Sequence, residues 1–439
     1  MKAKGVMGSA ERGELTWQQT WISELLRRDG EDIDQLGTRP VLFALPGDVT
    51  DDVLRRRFRE LVAREAALQI TCIQDRPGGY VMYTPAAEPP LRRESAGSSE
   101  ELRRLCLDFA GPLFDRASGE PLWRALIVEH PDVRGNPARS LCAVFDYHIS
   151  DGTSLHNFRD AVVTGSSATT GPENGPYREW VGWQRREYPP NAAEVVTKAS
   201  EFWRHYLDGV VPDQPTVFPF AVAPDGPLSG RVCSLNTRLA VTVPMLRSAG
   251  SRLKSSPFLV VLAGLASSIG RVAGVTDTVL RTNSNGRPNG YAGTFGAFAD
   301  ILPVRVRHES LSDPHQALRA ARNGWMGVLP HLTTPFEYTM QLCGEPDAAK
   351  RRLGYPQVLF NFMPLPVGVQ ALEPGTTEYP GQLGTFQFMI MTAETGGVYL
   401  KCEFDPERFA ADEVRAFIGQ LEDALGELTG LTEPTGLTV

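Results

Sequence analysis

Several features are missing from this chain, and each absence removes a class of function. No run of about 18 or more apolar residues occurs, so the sequence predicts no membrane-spanning helix and no membrane partner. Met1-Lys2-Ala3-Lys4-Gly5 is not followed by an apolar core of signal-peptide length. The six cysteines (Cys72, Cys106, Cys142, Cys233, Cys343 and Cys402) are scattered and form no Cys-x-x-Cys pair. They read as reduced thiols of a cytoplasmic protein, not as a disulfide frame or a metal site. No metal-ligand spacing and no Gly-rich phosphate loop is visible, so neither a metal nor ATP is implied. A net charge of -8 disfavours nonspecific nucleic-acid binding.

What is present is the composition of a soluble globular chain, 42% hydrophobic and 22% charged over 439 residues, long enough for two or three ordinary domains. Apolar spacing predicts a helix over 14–28, with Trp17, Trp21, Ile22 and Leu25 on one face, a strand over 40–45, and a helix over 51–68 capped by Thr50 or Asp51. Strands near 69–74 and 79–84, a helix near 98–109, and strands near 122–129 and 139–147 follow. Gly, Pro and small polar residues over 165–176 predict a mobile linker. Beyond it, strands are expected near 231–240, 276–284, 299–306, 356–363, 384–392 and 397–404. Helices are expected near 243–254, 257–273, 312–328, 335–343 and 410–429. The two halves mix helices and strands in a similar order without a detectable repeat.

Chemistry concentrates at Phe145-Asp146-Tyr147-His148-Ile149-Ser150-Asp151-Gly152-Thr153-Ser154-Leu155. The apolar run Leu141–Phe145 reads as a buried strand, and Leu155, Phe158, Ala161 and Val162 recur at helical spacing. The polar residues therefore lie where a strand ends, a turn forms at Asp151-Gly152 and a helix starts. A helix start offers unpaired N–H groups to an anion or oxyanion.

This stretch resembles the His-His-x-x-x-Asp-Gly-x-Ser signature of nonribosomal peptide synthetase condensation domains. With Asp151-Gly152 setting the register, Asp146 and Tyr147 stand where the two histidines belong, and His148 is displaced by one. Other segments resemble further motifs of that family: Leu15–Trp21, Arg64–Leu68, Tyr177–Gln184, Phe202–Leu207, Pro335–Tyr338 and Gln357–Phe362. So does Asn285-Gly286-Arg287-Pro288 followed by Gly296–Arg305, in which Asp300 replaces an asparagine. The resemblance spans about residues 14 to 429. It implies an α/β (α+β) fold of two chloramphenicol-acetyltransferase-like lobes in a V around a central channel. The N-terminal lobe is expected over 1–176 and the C-terminal lobe over 177–439.

The activity it implies joins an acyl thioester, held on the phosphopantetheine arm of an acyl or peptidyl carrier protein, to an amine or hydroxyl acceptor. The acceptor is a small molecule or is itself carrier-bound. No cofactor of its own is implied, and the chain is expected to act as a monomer. Tyr147, His148, Asp151 and Gly152 are the candidate catalytic residues, and Asp146 and Ser154 the candidate substrate contacts. A phenol of pKa about 10 is neutral at pH 7, so Tyr147 suits hydrogen bonding to a carbonyl or developing oxyanion. It serves as a base only beside a cation that lowers its pKa. Strand alternation directs Tyr147 to the channel and turns Asp146 and His148 the other way, where they can pair. His148 is then a hydrogen-bonded structural histidine, or a base re-aimed by a bulge. Asp151 is expected to be structural and paired with Arg287, and Gly152 to be required by a tight turn. Ser154 is open to three roles: holding water, bonding substrate, or capping the helix. Two other functions stay open: a non-catalytic module that recruits carrier proteins or tailoring enzymes, and a cyclisation, dehydration or hydrolysis in the same channel.

Overall fold

The computed structural model describes residues 10–27, 38–74, 79–85, 91–132, 134–165, 175–189, 198–208, 229–309, 313–335, 338, 357–365, 372–380 and 385–431. In chain order these hold β1 (Glu11–Glu14), α1 (Trp17–Arg27), β2 (Thr38–Ala44), α2 (Asp51–Arg64), β3 (Ile70–Gln74), β4 (Tyr80–Tyr83) and β5 (Leu91–Ser95). Then come α3 (Ser99–Ala110), β6 (Trp123–Pro131), β7 (Pro137–Asp146), α4 (Gly152–Thr164), α5 (Gly175–Glu187), α6 (Lys198–Tyr206), β8 (Arg231–Arg238) and α7 (Val243–Arg252). The remainder is α8 (Pro257–Ala273), β9 (Asp277–Ser284), β10 (Asp300–Arg307), α9 (Pro314–Val328), β11 (Gln357–Pro364), β12 (Gly375–Pro380), β13 (Thr385–Thr392), β14 (Val398–Phe404) and α10 (Ala411–Thr429). Among the described residues no single helix is long and apolar enough to cross a membrane.

Local chemistry explains most of these boundaries. Thr50 caps α2 by accepting from the Val53 N–H, Asp51 and Asp52 fill the positive first turn, and Leu54, Phe58, Leu61 and Val62 form the buried stripe. Ser256 caps α8, Pro257 opens it, and Gly274 ends it with φ of 69°. Three strands were not expected: β1, β5 and β12. Each is the edge of its sheet, in the orders β1-β4-β3, β2-β7-β6-β5 and β10-β9-β11-β13-β14-β8-β12. An edge strand buries little, so its sequence carries charge and no hydrophobic alternation, as in Leu91-Arg92-Arg93-Glu94-Ser95. Most of the expected linker (166–174) and most of the expected 335–343 helix fall outside the described residues.

The chain divides into two compact units. One comprises Met1–Ala192, Asn285–Asp300 and Pro366–Gly368, the other Ala193–Ser284, Ile301–Leu365 and Val369–Val439. This differs from a division at 176/177 for a reason visible in the packing. Tyr177 and Trp180 of α5, and Phe295 and Phe298 from the 285–300 segment, all belong to the hydrophobic core of the first unit.

In that unit β7 is an inner strand between β2 and β6, and its residues Leu141–Phe145 are buried. Phe145 stacks on Trp123 at 5.7 Å and meets Phe158 at 4.9 Å and Phe295 at 5.3 Å. The end of β7 is thereby anchored where the polar segment begins. The second unit is built on the seven-stranded sheet, in which β11 runs parallel to both β13 and β9. The almost wholly buried α8 is central to its core.

Candidate functional site

The strand stops one residue earlier than alternation predicts. β7 ends at Asp146, and Tyr147–Ile149 form a single 3-10 turn. Asp146 causes the turn: one oxygen, Oδ1, accepts the His148 N–H at 2.8 Å and His148 Nδ1 at 2.8 Å. The expected pairing of Asp146 with His148 is present, produced by a turn rather than by strand alternation. The other carboxylate oxygen accepts from Arg116 Nε at 2.9 Å. Burial alone would raise the Asp146 carboxyl, but the charges of His148 and Arg116 and the hydrogen bonds from His148 hold it below the ordinary range.

His148 is buried and bonded at both ring nitrogens, since Nε2 lies 2.8 Å from Ser23 Oγ on α1. Gln19 Nε2 donates to its carbonyl oxygen at 3.0 Å. Each of these partners lies within the chain.

Asp151 is the second organiser. It is the N-cap of α4, and Oδ1 accepts from the Ser154 N–H at 2.8 Å and from an Arg287 nitrogen at 2.8 Å. Oδ2 accepts from Arg287 at 2.7 Å and from the N–H groups of Phe298 and Ala299, each at 3.0 Å. Burial works to raise this carboxyl too. The Arg287 guanidinium, its hydrogen bonds and those of Ser154 hold it low. Both partners of this fork-to-fork pair are buried, and the Arg287 guanidinium also lies over the Phe298 ring at 4.4 Å.

The turn residues around Arg287 are tightly constrained. Gly286 has φ of +59°, and a Cβ there would run into the Phe298 carbonyl. A Cβ on Gly296 would strike the Tyr177 ring. A third buried carboxylate, Glu65 at the end of α2, accepts the Phe295 N–H at 3.0 Å. The Arg64-Glu65 motif thus works through its glutamate, which holds the 285–300 segment to this unit.

Ser154 and Asp146, candidate substrate contacts, are both fully buried with partners inside the chain. The Ser154 hydroxyl lies 2.9 Å from Asp151 Oδ1 and 2.8 Å from the Gly296 carbonyl, and it accepts from Arg287 and from Gly296 N–H. Its place is in the clasp between α4 and the 285–300 segment, which corrects the expectation of a substrate contact.

Gly152 is corrected differently. Its φ is not left-handed, and a Cβ built on it meets nothing within 4 Å. The turn does not require glycine, and the space beside it is open. Gly152→Ala is expected to keep or raise stability, by no more than about 1 kcal/mol. Urea unfolding checks this, and a loss well beyond that size would show that the chain itself needs the glycine. Tyr147 and Gly152 are both half-buried, so of the candidate positions these two retain exposed surface.

Sequence reading missed Ser23, Gln18, Gln19, Gln184 and Arg116. Gln18 Nε2 donates to Asp300 at 2.8 Å, Gln184 Nε2 donates to Gln18 at 2.9 Å, and Gln184 in turn accepts the Trp17 N–H at 3.0 Å. One available signal was a pair of glutamines beside Trp17 on a helix face that is otherwise apolar, because polar groups there need buried partners. Ser23 and Arg116 carry no such local mark. Among the described residues no group of three His, Cys, Asp or Glu could hold a metal.

The condensation domain family matches residues 14–435. Curated relatives include phosphinothricin tripeptide synthetase PhsB of Streptomyces viridochromogenes, 24% identical over 94% of this chain and 35% of its own length. A plipastatin synthase polypeptide of Bacillus subtilis is 25% identical over 68% of this chain and 11% of its own length. The chain therefore spans about a third or less of these two relatives. Among solved structures, the X-domain from teicoplanin biosynthesis superposes with a TM-score of 0.73 at 20% identity, covering 99% of this chain and 98% of the other. A condensation domain of the enacyloxin polyketide synthase, described as mediating chain release, gives 0.70 at 17% identity over 100% of this chain and 87% of the other. The fold is the chloramphenicol-acetyltransferase-like fold shared by these proteins. The chain belongs to the condensation domain family.

Proposed function

We propose that this chain transfers an acyl group from a carrier-protein thioester to an amine or hydroxyl acceptor, using Tyr147 where the family places its second histidine. The observation that carries the reading is the clasp of Asp151, Arg287 and Ser154. It fixes the start of the helix at the open Gly152, five residues after the half-buried Tyr147. In the reaction the acceptor nitrogen attacks the thioester carbonyl, the C–N bond forms and the C–S bond breaks. The proton lost by the amine ends on the departing thiol of the phosphopantetheine arm. The Tyr147 phenol donates to the carbonyl oxygen as charge develops on it, and no imidazole takes the proton. Positioning alone is worth about 7–11 kcal/mol of barrier, whereas general-base help contributes about 10²–10⁴-fold, so transfer without a histidine is energetically accessible.

The test is acyl transfer from a loaded carrier protein, followed by intact mass of the arm and of the acceptor. Tyr147→Phe is expected to slow transfer by about 10²–10³-fold, the usual cost of losing one oxyanion donor. His148→Ala is expected to act mainly through stability. A Tyr147→Phe chain as fast as the parent would refute the role of the phenol. A loss of water from the arm, or hydrolysis, would replace transfer by another reaction of the same site.

A second reading has its own support: the only imidazole of the signature is locked inside the fold. The chain would then be a recruiting module that binds a carrier protein or a tailoring enzyme. One solved structural relative is a complex of an X-domain with OxyB, at a TM-score of 0.70 and 20% identity. Carrier binding without turnover of any thioester, and an arm of unchanged mass, would favour this reading. Either activity is proposed for a cytoplasmic monomer without a cofactor of its own.

A further inference from the structure

Four side chains from three segments of the first unit form one hydrogen-bonded line beside Tyr147 in the chain: Arg116, Asp146, His148 and Ser23. Arg116 Nε to Asp146 is 2.9 Å, Asp146 to His148 Nδ1 is 2.8 Å, and His148 Nε2 to Ser23 Oγ is 2.8 Å. A carboxylate only accepts, so Nδ1 carries the proton. Nε2 then accepts from the Ser23 hydroxyl in the neutral ring and donates to its oxygen in the protonated one. The nitrogens are used as in a serine-hydrolase relay. Here, however, every group except Arg116 is buried, so the line holds position rather than meeting substrate.

His148 is fixed at four points: its backbone N–H by Asp146, its carbonyl by Gln19, and its ring nitrogens by Asp146 and Ser23. Asp146 is fixed as well, its own N–H donating to the Leu122 carbonyl at 2.9 Å. Tyr147 lies between these two residues, so its Cα–Cβ direction follows from theirs.

We propose that Ser23 of α1 is a positioning residue which, through His148, sets the turn that presents Tyr147. This rests on the reading that Tyr147 faces the reacting carbonyl, and the experiment separates the two. The full chain, with its 7 histidines labelled with 15N and its 11 tyrosines labelled with 13C at the phenol carbon, is followed by NMR. Tyr147→Phe and His148→Gln assign the two signals.

Ser23→Ala, close in size and helix-compatible, is expected to shift His148 Nε2 away from its hydrogen-bonded position and to move the Tyr147 signal. Ser23→Thr, which keeps the hydroxyl, is expected to return both. In the transfer assay Ser23→Ala should lower kcat by up to about 100-fold, the scale of a misplaced reacting group, with KM little changed. A Tyr147 signal that stays in place in Ser23→Ala overturns the proposal, whatever His148 does. Failure of the Thr variant to restore a moved signal overturns it too, because packing rather than the hydroxyl would then be the cause. A moved and restored Tyr147 signal in a chain that turns over no thioester counts against transfer alone and leaves the positioning role standing.

Discussion

Arg287→Ala is expected to destabilise the first unit by about 3–5 kcal/mol, the cost of removing one partner from a buried ion pair. The reason is the carboxylate left behind. Asp151 is fully buried, and without the guanidinium it keeps only the N–H groups of Ser154, Phe298 and Ala299 and the Ser154 hydroxyl. Those four donors place the loss toward the lower end of the range. They cannot neutralise the charge. Arg287 also bonds Ser154 and the Thr294 carbonyl, so its loss loosens the segment that carries Phe295 and Phe298 into the core.

Arg287→Lys should recover only part of the loss, since an ammonium cannot make the two parallel bonds of the guanidinium. Asp151→Asn combined with Arg287→Ala should be less damaging than the sum of the two, because the unpaired charge is gone. Urea unfolding of the four proteins measures this directly. A single-mutant loss under about 1 kcal/mol would mean that the pair is solvated, against its burial.

Acid should unfold the first unit through Asp151 and Asp146 together. Both carboxyls are held below their ordinary range by their partners: the Arg287 guanidinium for one, the His148 ring and the Arg116 guanidinium for the other. The sign follows from proton counting. Between the depressed folded value and the unfolded value of about 3.9, the unfolded chain binds more protons than the folded one. The stability these groups contribute is therefore complete above the unfolded value and is lost as pH falls through the folded values. A plot of urea midpoint against pH is expected to be level near neutrality and to fall steeply below about pH 4. In Asp146→Asn the fall should be shallower, because one of the two linked protons has been removed. A midpoint independent of pH down to about pH 2 would show that neither carboxylate is linked to folding.

Motif order across 14–429 indicated the fold, and the condensation domain family match over residues 14–435 agrees with it. Two contacts were legible as well. Asp151 with Arg287 followed from paired motifs far apart in sequence, and Asp146 with His148 followed from their spacing of two. The mechanism behind the second was not legible. Alternation assumes a strand, and whether Asp146 folds back to cap a turn depends on a carboxylate finding Arg116 thirty residues away.

Local pattern determined the inner strands, the capped helices and the place of the polar turn, because those depend on burial period and on side chains within a few residues. Only the tertiary structure decided the edge strands and the return of 285–300 to the first unit. It also decided the inward burial of Ser154 and the pairing of Ser23 with His148. Each of these is a long-range choice of partner for a buried polar group or an unpaired strand, and a chain carries no local mark of which distant donor will be near.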